Sequence, residues 1–338
     1  MPVSGSTPPA GFATGGRELV GSLPSGTGGG ASVHREQGGW VATGLSWQDG
    51  RPVLAASNGR REHVRVVAAG DRLGWRLGGP RRCIGVWIAG EPQRRPCPHH
   101  ATVEPAGGAV QCPACQSADQ GLALARDRIL DDGRSYALYL AWFGPGLLKV
   151  GLTAEQRGTS RLLEQAALAF TFAARGPLPA VRRAELTVAQ AGLARERIAV
   201  PAKTEHWWDP STPERRRHDL AEIRTATMRA LQGHAVHLLP DGPVVDQVEV
   251  FGLTGGAPAL YHRTAGLAAG AVVSGVVRSV VGRHLFLDQP PGHPPLLLDT
   301  RQLTGWTLTA VGDAHDTPTT GLDLREQRQE GGDQAALF

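Results

Sequence analysis

The sequence predicts an α+β protein, and three observations carry that prediction. Short apolar stretches separated by turn dipeptides lie toward both ends of the chain. A Gly- and Pro-rich segment holds all four cysteines. Between the cysteines and the last apolar stretches runs a strongly apolar hairpin followed by helical periodicity. A chain of 338 residues accommodates two or three domains or subdomains.

In chain order, residues 1–33 are rich in Gly, Pro, Ser and Thr and read as a disordered arm. Their start has neither a basic n-region nor an apolar h-region, so no secretory signal is expected. An N-terminal β segment is expected over 34–82. There WVATGLSW, RPVLAAS, VRVVAA and LGWRL are strand-like and are punctuated by Asp49-Gly50, Asn58-Gly59 and Gly70-Asp71.

Residues 83–120 contain Cys83, Cys97, Cys112 and Cys115, the last two as C-P-A-C. A two-residue spacing lets neighbouring thiolates grip one tetrahedral zinc. The segment is too short and too poor in apolar residues to build its own core, and a structural zinc site supplies ~10–16 kcal/mol in finger peptides. A disulfide pair and a redox C-x-x-C are the rival readings. Without a secretory signal the thiols are expected to stay reduced, and the flanks are Gly, Gln and Pro rather than a βαβ pattern. The expectation is a zinc-ribbon-like segment with structural Zn2+ on four thiolates. His99 and His100 are alternative ligands that a complete thiolate set leaves as bystanders.

GLALARDRIL (121–130) reads as a short helix stopped by Asp131-Asp132-Gly133. In the module expected over 134–200, residues 135–153 read as two strands around Gly144-Pro145-Gly146. Leu162, Leu163, Ala166, Ala167 and Phe170 recur at helical spacing and predict a helix over about 159–173. A second helix is expected from about Pro179 to Arg195. A helical connection over 201–235 contains a helix opened by a capping box, Ser211 to Glu214, with Leu220, Ile223 and Leu231 as its buried stripe. The TEHWWD cluster before it offers aromatic rings that either stack on bases or plug the core. Residues 244–310 return to β structure, and the two flanking antiparallel β segments are expected to share a sheet. The acidic 312–338 segment reads as a disordered tail.

The formal net charge is +4. Ten arginines between Arg51 and Arg95 face only Glu62, Asp71 and Glu91, a surface that either attracts phosphates or is merely solvated. No apolar run approaches the length of a transmembrane helix, so no membrane partner is expected.

The central segment carries the chemistry. Leu138-Tyr139 lies on the first hairpin strand, Lys149-Val150-Gly151-Leu152-Thr153 on the second, Arg161 near the start of the next helix and Glu185 on a later one. This arrangement resembles the GIY-YIG nuclease module, with Lys149 where that family usually has its second Tyr. The resemblance implies that Tyr139 relays a proton, Arg161 and Lys149 bind phosphate, and Glu185 holds Mg2+ or Mn2+ if the site is catalytic. Those residue types suit the chemistry. An Arg fork matches two phosphate oxygens, and magnesium needs few protein ligands. The bland readings stand beside them: Tyr139 as core, Arg161 paired with Glu164 or Glu185, and Glu185 exposed beside Arg182 and Arg183.

Over roughly residues 38–310 the chain also resembles an uncharacterised bacterial domain-of-unknown-function family that joins a zinc site to a GIY-YIG-like segment. The residues that carry this resemblance are Cys83-Ile84-Gly85, Pro96-Cys97-Pro98, Cys112 and Cys115, Tyr139-Leu140-Ala141, Lys149-Val150-Gly151 with Thr153, and Arg161 with Gln165. Where that family has Gly-x-Tyr-Leu, this chain reads Gly282-Arg283-His284-Leu285. The expectation is a cytoplasmic, nucleic-acid-associated protein. Metal-dependent phosphodiester cleavage, binding of DNA or RNA without turnover, and a scaffold for a protein partner are the three readings the residues leave open.

Overall fold

The structure is a computed structural model that describes residues 39–91, 93–105, 107–126, 128–129, 131–311 and 321–327. The 1–33 arm and most of the acidic tail lie outside these residues. Within that tail, however, Leu322–Glu326 forms a strand, because its main chain pairs with Leu260–Thr264.

The four apolar stretches near the start fold as β1 (Val41–Gln48), β2 (Arg51–Ser57), β3 (Glu62–Val66) and β4 (Arg72–Gly78). Asp49 and Gly50 both take positive φ, the backbone a tight two-residue hairpin turn requires. The cysteine segment carries α1 (Pro113–Ala118) and is followed by α2 (Gln120–Ala125). The hairpin is β5 (Ser135–Trp142) and β6 (Leu148–Ala154), paired from Tyr136↔Ala154 to Trp142↔Leu148.

Here the structure departs from the predicted helix over 159–173. Only α3 (Ser160–Glu164) is helical, and Ala169–Pro177 is strand β7, paired antiparallel with the whole of β5. Ala166 in the left-handed region (φ 59) breaks the helix. Phe170, Thr171 and Phe172 favour a pleated surface, and a long pairing partner decides the matter. Two helices follow, α4 (Leu178–Gln190) and α5 (Val200–Glu205). Next comes α6 (Pro213–Ala230). Its N-cap is Thr212, whose side chain accepts from the Arg215 amide, one residue later than the predicted Ser211. The short strands β8 (His237–Leu238) and β9 (Val245–Asp246) both pair with β7. Only Val245–Asp246 of VVDQVEVFGL is strand, and half of the stretch is turn.

The C-terminal part contributes β10 (Leu260–Thr264), β11 (Val272–Val281), β12 (His284–Asp288), β13 (Leu296–Asp299), β14 (Thr307–Ala310) and β15 (Leu322–Glu326). These strands join the N-terminal ones in a single ten-stranded sheet, ordered β15-β10-β13-β12-β11-β4-β14-β1-β2-β3. The junction is β4, held between β11 (Val273↔Trp75) and β14 (Leu308↔Leu77). All its pairs are antiparallel except β10–β13. The two ends of the described chain therefore complete one sheet, and the class is α+β.

The smaller sheet, β6-β5-β7-β8, presents both faces to other elements. Leu138, Leu140 and Trp142 of β5 pack with Val181, Ala184 and Val188 of α4 and Leu220 of α6. Tyr139, Ala141 and Phe143 point the other way and pack with Leu162, Ala167 and Phe170. Burial on both faces explains why β5 is apolar almost throughout. Among the described residues no helix is long and apolar enough to cross a membrane.

Candidate metal centre and cationic site

Two loops and α1 bring the cysteines together. Cys83 follows the Arg82↔Thr102 bridge, and a second bridge, Val86↔Arg95, leads to Cys97. Gly85, at φ 72, makes the tight turn between them; a Cβ there would overlap the Arg95 carbonyl. Cys112 is the N-cap of α1 with Pro113 in its first turn, and Cys115 lies one turn along. The C-P-A-C pair thus does open a helix, contrary to the reading of its flanks, but the sulphurs of Cys83 and Cys97 complete a set of four.

All four side chains are buried, and their sulphurs lie within 4.8 Å of one another. Cys97 and Cys112 Sγ are 3.9 Å apart and all four cysteines are free, which rules out a disulfide among them. Ligands at the tetrahedral corners around a zinc with ~2.3 Å bonds lie about 3.8 Å apart, so this donor set fits a metal such as zinc. His99 and His100 are exposed and stand outside the cluster. Burial and then the neighbouring sulphurs push the Cys115 thiol up. Burial also opposes ionisation of Cys97, but the amides of Ala101 and His99 together with the Cys115 and Cys83 sulphurs draw that thiol down to about 7. Bringing four sulphurs together asks for a cation, which would hold all four as thiolates.

Two residues that sequence reading missed organise the segment. Asp119 accepts from the amides of Trp87 (2.8 Å) and Leu122 (3.0 Å) and from Arg94 Nη2 and Gln111 Nε2 (both 2.7 Å), tying the first cysteine loop to α2. Arg81, 3 % exposed, donates to the carbonyls of Thr304 (2.8 Å), Glu104 (3.0 Å), Gly107 (2.8 Å) and Arg301 (3.4 Å). The cysteine segment is thereby anchored to the short 3₁₀ turn at Thr300–Gln302, which follows β13.

A second group of side chains gathers on the Tyr139 face of the small sheet. Tyr139 is 2 % exposed, and its hydroxyl accepts from Gln165 Nε2 at 2.8 Å. Gly151 lies opposite it in the hairpin, where any Cβ would strike the Tyr139 ring. Lys149 places Nζ 5.6 Å from the centroid of that ring and donates to the Glu196 (2.6 Å) and Val150 (2.9 Å) carbonyls. Arg161 stands one turn before Gln165 on α3, whose amide bonds back to the Arg161 carbonyl. Glu164 does not pair with Arg161. It bridges Arg157 (2.7 Å) and Arg283 (2.8 Å) instead, locking α3 to the turn between β11 and β12.

Glu185 is elsewhere. It lies half-buried on α4, whose buried side chains cover the Leu138–Leu140 face, the opposite side of the sheet from Tyr139. The structure thus sets Lys149 against Tyr139 and carries Arg161 one turn before Gln165, the partner of Tyr139, but puts Glu185 on the far side. Lys203 of α5, absent from the sequence reading, joins the group from below: its ammonium donates to the Gln165 carbonyl at 2.9 Å and lies 4.1 Å from the Phe143 ring centroid. His284, standing where the resembled family has Tyr, is buried against Trp207 (5.3 Å between centroids), and burial drives its pKa down to about 4. Trp207 is 1 % exposed and also packs edge-on against Phe286, so TEHWWD acts as a core plug.

A search of the curated proteins and a search of the solved structures return no match to this chain. The profile of one family matches residues 120–308, more than half of the 338 residues, beginning just after Cys115 so that the cysteine cluster falls outside the matched span. The chain that carries this small two-faced sheet and its cationic group therefore belongs to the family described as protein of unknown function (DUF2797).

Proposed function

We propose that this DUF2797 protein is a nucleic-acid-associated protein with two parts. A zinc-ribbon-like segment holds Zn2+ on Cys83, Cys97, Cys112 and Cys115. A GIY-YIG-like module binds phosphate groups through Arg161 and Lys149 beside Tyr139. The zinc has a structural role: it closes the segment whose Arg81 grips the 301–304 backbone. Reduced thiolates of this kind suit a cytosolic setting.

The observation that carries the reading is Lys149 Nζ over the Tyr139 ring, with Arg161 one helical turn before the Gln165 that bonds that Tyr and no carboxylate paired to either cation among the described residues. Cations gathered without counter-charge repel one another, and an arriving phosphate relieves that repulsion. Binding without cleavage is favoured over a Mg2+- or Mn2+-dependent nuclease, because Glu185 lies on the other face of the sheet from Tyr139. The test is fluorescence anisotropy with labelled DNA and RNA across a salt series, with a cleavage assay in Mg2+ or Mn2+ run in parallel. Arg161→Ala is expected to reduce the slope of log K against log salt by about one. Unchanged affinity and slope in that variant defeat the binding reading. Cleavage abolished by Glu185→Ala restores the nuclease.

A further inference from the structure

The chain uses arginine almost exclusively for positive charge. Of its 35 lysines and arginines, only Lys149 and Lys203 are lysines. They are far apart in sequence, yet the fold brings both to one place. Lys149 Nζ lies over the Tyr139 ring, the Tyr139 hydroxyl is bonded to the Gln165 side chain, and the Gln165 carbonyl accepts from Lys203 Nζ. A guanidinium is a wide planar fork, whereas an ammonium is a compact point charge that fits where space is short. A chain so biased toward arginine that keeps lysine only here has a site that needs the smaller cation.

We propose that Lys203, Lys149 and Arg161 form a seat for a single phosphoryl oxyanion, with the Lys203 ammonium as its floor and Arg301 at its rim. The proposal rests on the phosphate-binding reading above and adds its anchoring residue and ligand class. Lys203 is 9 % exposed and lies on α5, beneath α3 and against Phe143. Its polar contact is a single neutral carbonyl, so its charge has no anionic partner among the described residues. The charged groups whose field reaches it are Lys149 from β6, Arg161 from α3 and Arg301 from the 3₁₀ turn, all cations. His284 of β12 lies within its field and is held neutral by burial. Asp299 is occupied by a two-point pair with Arg301 (2.9 and 2.5 Å). Burial first, then these three cations, draw the Lys203 pKa down to about 7. A tetrahedral oxyanion resting on the cluster supplies the missing negative charge and holds Lys203 protonated.

The experiment uses the full-length, metal-loaded protein with lysine labelled at 13Cε and 15Nζ, which yields signals from two residues only. Inorganic phosphate, a 5′-phosphorylated oligonucleotide and its unphosphorylated twin are the probes. Titration of the Lys203 signal is expected to move upward by about one pH unit or more with a bound anion. In anisotropy, Lys203→Met is expected to weaken oligonucleotide binding about tenfold. Equal loss for both oligonucleotides assigns the seat to an internal phosphodiester, and loss confined to the phosphorylated one assigns it to a terminal phosphate. A Lys203 signal unmoved by all three probes overturns the seat. If Arg161→Ala still weakens binding in that case, the broader phosphate-binding reading survives. If neither oligonucleotide binds but inorganic phosphate shifts Lys203, the seat stands and the nucleic-acid reading falls.

Discussion

Replacing Lys203 by Met tests whether the buried ammonium burdens the free protein. In the native state its pKa is near 7, against an ordinary value of 10.5. Each unit of difference corresponds to about 1.36 kcal/mol, so the charged form costs about 5 kcal/mol, or about 3 kcal/mol if the native value lies one unit higher. The sign follows from proton counting. Between about pH 7 and about pH 10.5 the unfolded chain binds a proton at this site that the folded chain does not, so stability rises with pH across that window. Below it the destabilisation is fully present. Met has similar length, carries no charge and fits beside Phe143. The stability of wild type minus that of Lys203→Met, from urea unfolding of the metal-loaded proteins, is therefore expected to climb by about 3–5 kcal/mol from neutral to alkaline pH. Other titrating groups cancel in the difference as long as they are independent of the site. A difference that stays flat with pH refutes the claim that Lys203 is held against its charge, whatever its constant offset.

Chelation is expected to expose four titratable thiols per chain and to make the 83–120 segment protease-sensitive; thiols fully reactive before chelation would show that the cluster holds no metal. Gly85→Ala forces a Cβ into the Arg95 carbonyl at φ 72, so metal content measured by mass spectrometry is expected to drop together with at least about 1–2 kcal/mol of stability. Asp119→Ala removes an acceptor from four donors and is expected to cost about 3 kcal/mol at neutral pH. Although burial opposes it, that carboxyl is held below its ordinary 3.8 by its donors and Arg94, so its contribution is present above about pH 4 and is lost as pH falls below that value. Glu164→Gln breaks two ion pairs with half-exposed arginines and is expected to cost about 1–2 kcal/mol in thermal unfolding, with no change in metal content.

The cysteine cluster was legible in the sequence because metal-ligand chemistry is local in type, and C-P-A-C already holds half of the donors within one helical turn. The β5–β6 hairpin was equally plain, since two apolar runs around Gly144-Pro145-Gly146 have few other ways to fold. The segment after Arg161 was not. Leu162, Leu163, Ala166, Ala167 and Phe170 satisfy a helical period, yet the last of them belongs to a strand, because β5 offered a full-length pairing partner that a local window does not contain. Glu185 illustrates the same limit: its distance along the chain suits a metal ligand, but helix packing set α4 on the other face of the sheet from Tyr139.

The sequence alone determined the α+β class, the four sulphur donors, and the pairing of a Tyr-bearing strand with a Lys-bearing one. Only the tertiary structure decided the strand order by which β4 joins the N- and C-terminal segments in their expected common sheet, and that Arg81 ties the cysteine segment to the Arg301 turn. It also decided that Lys203, within VPAKTE, comes to lie under Gln165, in the field of Lys149 and Arg161. The physical reason is one of range. Residue type and spacing act over a few positions, whereas bringing cations from α3, α5 and β6 together requires the whole apolar core to hold them against their mutual repulsion.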